Sequence, residues 1–276
     1  VSDLLQSNGF DNYWQITFIF LVVIILLFNI GILFIKETDY SVKEKTHKIL
    51  DLQIQEKIGT PSRFSYLLAW ISSTLLGPII SFFKNNILSI AIGIICFVFL
   101  FKIGEAFLGR MSIIFYKEMG FSKTDIGIYS KALGWITTII FTILGGIFTI
   151  RAGVIKSLFI AGIFMALTNL LFCILAWSGK SYFIFAMAVI LDDIAAAFAT
   201  VAFVAFISIL VDRNYTATQY ALLASIGTAG RTALASSSGS LVDYLGDWGL
   251  FFIITAIMVI PSLIILLYIK NKIKIE

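Results

Sequence analysis

The sequence predicts an all-α integral membrane protein with about seven transmembrane helices. Three observations lead there. Of 276 residues, 59% are hydrophobic and 13% are charged, the mean hydropathy is +1.00, and the apolar residues fall in long continuous runs. Soluble domains carry about 45–50% apolar and about 25% charged residues, so lipid must be the solvent for most of this surface. A bilayer core of about 30 Å takes roughly 20 mostly apolar residues per helix. The runs at 13–35, 87–116, 124–149, 154–177, 181–210, 217–239 and 248–270 meet that length. They lack the alternation of a spanning β-barrel.

The run 13–35 is too long for a signal-peptide core and has no basic start or small-residue cleavage site, so it reads as a true span. The polar stretch 36–63 follows, with mixed charges and the lone His47, and reads as a solvated linker. The segment 66–83 is ambiguous, because it contains Ser72, Ser73, Thr74, Gly77 and Pro78. Parity favours an interfacial helix. Six spans then separate the Lys-rich loop 36–63 from the Lys270, Lys272 and Lys274 tail, and both lie on the cytoplasmic side, where Lys and Arg concentrate. The cytoplasmic segments of this topology hold 13 of the 20 Lys and Arg. The organisation is therefore 1–35 (outer start and first span), 36–86 (cytoplasmic loop with interfacial helix), 87–270 (six helices) and 271–276 (cytoplasmic tail). The run 87–116 is long for a single span, which implies a tilt or an extension past the membrane.

A net charge of +4 carried mostly by short loops reads as membrane topology, not as a nucleic-acid surface. Cys96 and Cys173 each sit inside an apolar run without metal-ligand spacing. No span holds a histidine, and neither a phosphate-binding glycine loop nor a nucleophile elbow is present. The expectation is a protein without enzymatic activity, cofactor or metal.

Ionisable groups inside spans tend to face a cavity or the bundle interior. The run 87–116 contains Lys102, Glu105 and Arg110, the run 124–149 contains Lys131, the run 181–210 contains Asp192 and Asp193, and the run 217–239 contains Arg231. Lys102 and Glu105 are i, i+3 and can pair on one face. Counting about 1.5 Å per residue places Lys102, Asp192 and Arg231 near mid-bilayer, the depth of transporter substrate and ion sites. Pairing that merely holds the bundle together is the plainer alternative. Two adjacent ionised carboxylates repel, so Asp192–Asp193 favours a state holding one proton, as a coupling site requires. The run 225–239, Ser-Ile-Gly-Thr-Ala-Gly-Arg-Thr-Ala-Leu-Ala-Ser-Ser-Ser-Gly, is rich in small residues, which suit either close packing or a sliding contact. Asn29 and Asn169 read as interhelical hydrogen bonders.

With these residues in view, the chain resembles the major facilitator superfamily, whose twelve helices form two six-helix halves joined by a long cytoplasmic loop. The one-plus-six division looks like helix six, the central loop and the C-terminal half. In that fold helices seven and ten line the cavity and helices eight and eleven form the seam between halves. The resemblance therefore assigns Lys102, Glu105, Asp192 and Asp193 to the cavity, and Lys131, Gln219 and Arg231 to the seam. Gly145-Gly146-Ile-Phe-Thr-Ile-Arg151-Ala-Gly153 looks like a degenerate form of the superfamily's cytoplasmic gating loop, without its acidic residue. A narrower resemblance is to the AmpG-type muropeptide permeases. It rests on Lys102-Ile-Gly-Glu105, Gly120-Phe-Ser-Lys-Thr-Asp-Ile-Gly127 with Ser130-Lys131, Ala202-Phe-Val-Ala205, and Ala217-Thr-Gln-Tyr-Ala-Leu-Leu223 with Arg231. Many members carry an acidic residue followed by Asn where this chain has Asp192-Asp193. The resemblance implies proton-driven import of anhydro-muropeptides across the bacterial inner membrane, with the N-terminus periplasmic, the C-terminus cytoplasmic and a separate N-terminal half as partner. The alternatives are a different solute, nucleotide-linked or sugar, and a truncated, non-transporting remnant.

Overall fold

In hydrocarbon a backbone satisfies its N–H and C=O groups only within its own segment, so continuous apolar runs fold as helices. The computed structural model describes residues 9, 11–34, 76–212 and 215–273, and every regular element among them is helical. The chain divides into two units, Val1–Gly59 and Thr60–Glu276. The first contains α1 (Tyr13–Leu33). Within the membrane-length stretch Trp14–Gly31 no side chain is buried; Phe28 is 75% exposed. Such a helix requires lipid or protein around it. The loop 36–63 with His47, and residues 66–75 of the ambiguous segment, lie outside the described residues.

The second unit contains α2 (Gly77–Asn85), α3 (Leu88–Leu100), α4 (Ile103–Glu118), α5 (Lys123–Ile126), a π-helical turn (Gly127–Ala132), α6 (Leu133–Ala152), α7 (Val154–Ser178), α8 (Tyr182–Leu210), α9 (Thr216–Ala235), α10 (Ser238–Leu245), α11 (Trp248–Ile257) and α12 (Ile260–Lys270). Among the described residues six stretches are long and apolar enough to cross a membrane: Trp14–Gly31, Leu88–Glu118, Lys123–Ala152, Val154–Ser178, Tyr182–Leu210 and Trp248–Lys270. The expected span at 217–239 is not among them. Its helix, α9, has 20 residues, about 30 Å, but Gln219, Ser225, Thr228, Arg231 and Thr232 make it more polar than the rest. It also ends early. Ser236 Oγ donates to the Ala233 carbonyl at 2.6 Å and Ser237 Oγ to that of Leu234 at 2.7 Å, where side-chain hydroxyls compete for helical acceptors.

Two runs expected as continuous spans are interrupted. In the run 87–116, α3 and α4 are separated at Phe101–Lys102, where Lys102 leaves helical geometry (φ −101°, ψ 16°). α11 and α12 are separated at Met258–Val259, because Pro261 has no N–H to continue the ladder. The two breaks meet. A Cβ at Gly104 would lie 2.7 Å from the Thr255 carbonyl oxygen and 2.9 Å from Val259 Cγ2.

The helices of this unit run up and down, so alternate turns gather at opposite ends. At one end Trp248 Nε1 donates to Glu118 (2.7 Å), Trp177 Nε1 to Asp247 (3.3 Å) and Lys180 Nζ to the Gly120 carbonyl (2.7 Å). At the other, Ser81 Oγ donates to Asp212 (2.8 Å) and Gln219 Nε2 to the Pro78 carbonyl (2.8 Å). Each end has its own apolar cluster. Phe97, Phe101, Met165, Ala195, Phe206 and Leu266 belong to one; Ile103, Phe115, Phe172, Val189 and Phe252 belong to the other. The clusters part at a single level. Lys102 falls between Phe101 and Ile103, Thr168 and Asn169 between Met165 and Phe172, Asp192 and Asp193 between Val189 and Ala195, and Thr255 between Phe252 and Leu266. These four helix lines place polar side chains in that gap, whereas Ser157 and Gln219 are buried away from it.

Candidate functional site

The site is this polar layer. The break before α4 puts Lys102 at the start of a new helix, one turn from Glu105. Lys102 Nζ lies 2.9 Å from Glu105 Oε2 and donates to Oε1 at 3.2 Å. It also donates to Thr200 Oγ1 of α8 at 2.8 Å, and that hydroxyl in turn donates to the Ala196 carbonyl at 2.7 Å. The two charged side chains are 11% and 23% exposed, so neither is fully hydrated and each depends on the other.

Asp192 and Asp193 are adjacent on α8 and diverge, as successive residues on a helix must. Asp192 Oδ1 accepts a hydrogen bond from Thr168 Oγ1 of α7 at 3.1 Å, and Lys102 and Glu105 are the charges that bear on it from α4 and the break. Asp193 turns toward α6. Its Oδ2 is buried without a hydrogen-bond partner among the described residues, and a Cβ at Gly134 would lie 2.6 Å from that oxygen. The cation that bears on Asp193 is Lys131, which lies in the π-helical turn. Such turns interrupt a helix where function requires it.

The residues assigned to the seam separate. Lys131 and Arg231 are exposed, whereas Gln219 is 2% exposed. The Gln219 Oε1 accepts the Asp212 backbone N–H at 2.6 Å while its Nε2 holds the Pro78 carbonyl, so it ties α9 to the start of α2 from behind the exposed face. In the 145–153 loop, Arg151 is exposed. Gly153 adopts φ +86°, ψ 149° between α6 and α7, a backbone that requires glycine. Gly146 meets only ordinary packing, Val201 Cγ1 at 3.9 Å from an added Cβ, while Gly145 is the closer helix contact at 3.3 Å from Phe198 Cα.

Two cavities open beside the layer. One of about 390 Å³ lies between α4 and α9 and is lined by Glu105, Ala106, Gly109, Arg110, Arg231 and Thr232. A second of about 150 Å³ includes Lys102, Thr200, Tyr220, Thr228 and Arg231. Arg231 borders both. The residues that sequence reasoning left out of the site are Thr168, Thr200 and Arg110. The two threonines matter only through partners on other helices, which no spacing shows. Arg110 had a signal: with Ala106 and Gly109 it forms one small-residue helix face.

Membrane-length helices around a charged mid-depth layer, opening into cavities on the α4–α9 side, define an all-helical membrane bundle of the major facilitator type, a transporter class. The chain is 33% identical over 264 residues to the putative transporter AmpG 4 of Rickettsia conorii, an alignment covering 96% of this chain and 58% of the relative. It is 31% identical over 265 residues to the putative transporter AmpG 1 of Rickettsia prowazekii, covering 94% and 60%. It is 28% identical over 206 residues to the anhydromuropeptide permease of Escherichia coli, covering 74% and 41%. The chain is therefore a homologue of the AmpG transporters, and it spans about half the length of the curated relatives it matches. No protein-family profile matches it.

Proposed function

We propose that this chain forms the C-terminal half of a proton-coupled importer of anhydro-muropeptides in the bacterial inner membrane, with a separate N-terminal half completing the pathway. The observation that carries the reading is the polar layer. Charged side chains at mid-depth are costly in lipid and tend to mark substrate and proton pathways, and here Glu105 and Lys102 border cavities on the face formed by α4, α8 and α9, while Asp192 and Asp193 lie in the same layer without lining either cavity. Lys102, Glu105, Asp192 and Asp193 are the pathway residues. Glu105 is paired with Lys102. Asp193 has an unpartnered oxygen among the described residues and stands beside a second carboxylate, Asp192. The aspartate pair is therefore the proton carrier. Lys131 and Arg231 face the other half, and the Gly146–Arg151–Gly153 turn forms the cytoplasmic gate. The C-terminus is cytoplasmic. The N-terminal half corresponds to the part of the relatives that this chain does not cover.

The test is uptake of labelled anhydro-muropeptide into liposomes carrying this chain with a polypeptide corresponding to the first half of an AmpG relative. Asp192→Asn or Asp193→Asn should abolish uptake driven by a pH gradient while leaving substrate exchange. Full gradient-driven uptake in both variants removes the pair from coupling and leaves Glu105 as the carrier. No uptake by the two halves together overturns the importer itself.

A further inference from the structure

The larger cavity has a charge composition that the coupling site does not use. Arg110 of α4 and Arg231 of α9 border it from two helices, and neither guanidinium makes an ion pair among the described residues. The only carboxylate in its lining is Glu105, already neutralised by Lys102 at 2.9 Å. The cavity thus holds two cations and no free anion. Guanidinium stays charged in any setting, and both side chains are exposed beside this cavity with no free carboxylate to answer them among the described residues. Ala106 carries only a methyl and Gly109 no side chain, which leaves room beside the arginines, and Thr232 adds a hydroxyl.

We propose that Arg110 and Arg231 form a carboxylate-binding subsite for the transported solute, distinct from the proton-carrying aspartates. This rests on the importer reading above. Arg110 lies eight residues beyond Lys102, about 12 Å along the axis, toward the end where Glu118 meets Trp248. The subsite therefore holds one end of an elongated ligand while the Lys102–Glu105 level meets another part of it. The planar fork of arginine matches a carboxylate with two parallel hydrogen bonds, and the peptide stem of a muropeptide ends in such groups. Arg231 borders both cavities, so it can keep hold of the anion as the ligand advances.

The experiment is equilibrium binding to the purified full chain in lipid nanodiscs with three probes. These are anhydro-muropeptide, the same molecule with its peptide carboxylates amidated, and the free stem peptide. The acid form should bind about ten- to a hundredfold more tightly than the amide, the range of one or two charge-assisted hydrogen bonds. Arg110→Gln and Arg231→Gln should each erase that preference. Arg110→Lys keeps the charge but loses the fork, and should retain part of the preference; it also serves if the Gln variant does not fold. Equal binding of acid and amide, a preference that survives both Gln variants, or no binding of any probe overturns the subsite. Failure of the importer reading looks different. The free stem peptide would then bind as tightly as the muropeptide and lose binding in both Gln variants, and the subsite would stand with another carboxylate solute.

Discussion

At the residue scale, the Lys102–Glu105–Thr200 triangle is where electrostatics and stability are coupled. Removing one member of a buried ion pair leaves the other charge uncompensated, at a cost of up to about 3–5 kcal/mol, whereas replacing both can be nearly neutral. The pair here is partly exposed, so solvent reduces that cost. Lys102→Met should therefore lower thermal stability, and the double variant Lys102→Met, Glu105→Gln should be more stable than Lys102→Met alone. A double variant less stable than the single one would mean that Glu105 is stabilised by something other than Lys102. Gly134 gives a second prediction. A methyl there would fall 2.6 Å from Asp193 Oδ2, so Gly134→Ala should displace the carboxylate, cost about 1–3 kcal/mol by overpacking and slow gradient-driven uptake more than exchange. These residues were unequally legible. A charge inside an apolar run announces itself, so Lys102, Glu105 and the aspartates stand out in the sequence. Gly134 and Thr168 do not, because their importance lies in what a neighbouring helix presents to them.

At the element scale, helix positions follow from run length, while the interruptions depend on packing. Pro261 accounts for the break before α12, although the run 248–270 reads as continuous by its apolar length alone. Nothing local forecasts the break at Phe101–Lys102, where two interrupted helices meet at Gly104. That break matters for function, because it releases backbone carbonyls at the depth of the charges, as in discontinuous transporter helices. α9 packs directly on it: added methyls at Gly227 and Gly230 would meet the Val98 and Phe99 carbonyls. The opposite face of α9 carries Ala221, Ser225, Thr228, Ala229 and Thr232, all exposed. This face is small and polar, unlike exposed Ile136, Ile139, Ile140 and Ile143 on α6, and lipid is a poor partner for it. A bulky residue there should block association with the other half without disturbing this one. Ala229→Phe should leave the unfolding of the isolated chain within about 0.5 kcal/mol of the parent, as for other surface changes, and should reduce co-purification with a polypeptide corresponding to the first half of an AmpG relative. Unchanged co-purification and uptake would place the seam elsewhere.

At the scale of the whole molecule, the residues at the two ends of the second unit agree with the charge pattern of the sequence. Trp177 and Trp248 sit at one end, each hydrogen-bonded to a carboxylate, as interfacial tryptophans do. Arg151, Lys156, Lys270 and Lys272 fall at the turns of the opposite end and are exposed; Lys272 Nζ lies 3.8 Å over the Tyr268 ring. Lys and Arg beside short turns mark the cytoplasmic face, so the α2 end should be inside. α2 has nine residues, about 14 Å, less than half the thickness of a bilayer core. If it is the continuation of an interfacial helix, the loop 36–63 and the C-terminus share a side. Reporter fusions at residue 50 and after Glu276 should then both report cytoplasm, and one in the turn between α7 and α8 should report the outside. Opposite locations for the first two would mean that 66–83 crosses the membrane. The unit from α3 to α12 would keep its orientation, but α1 would invert, and the pairing of α1 with helix six of the transporter fold would fail with it.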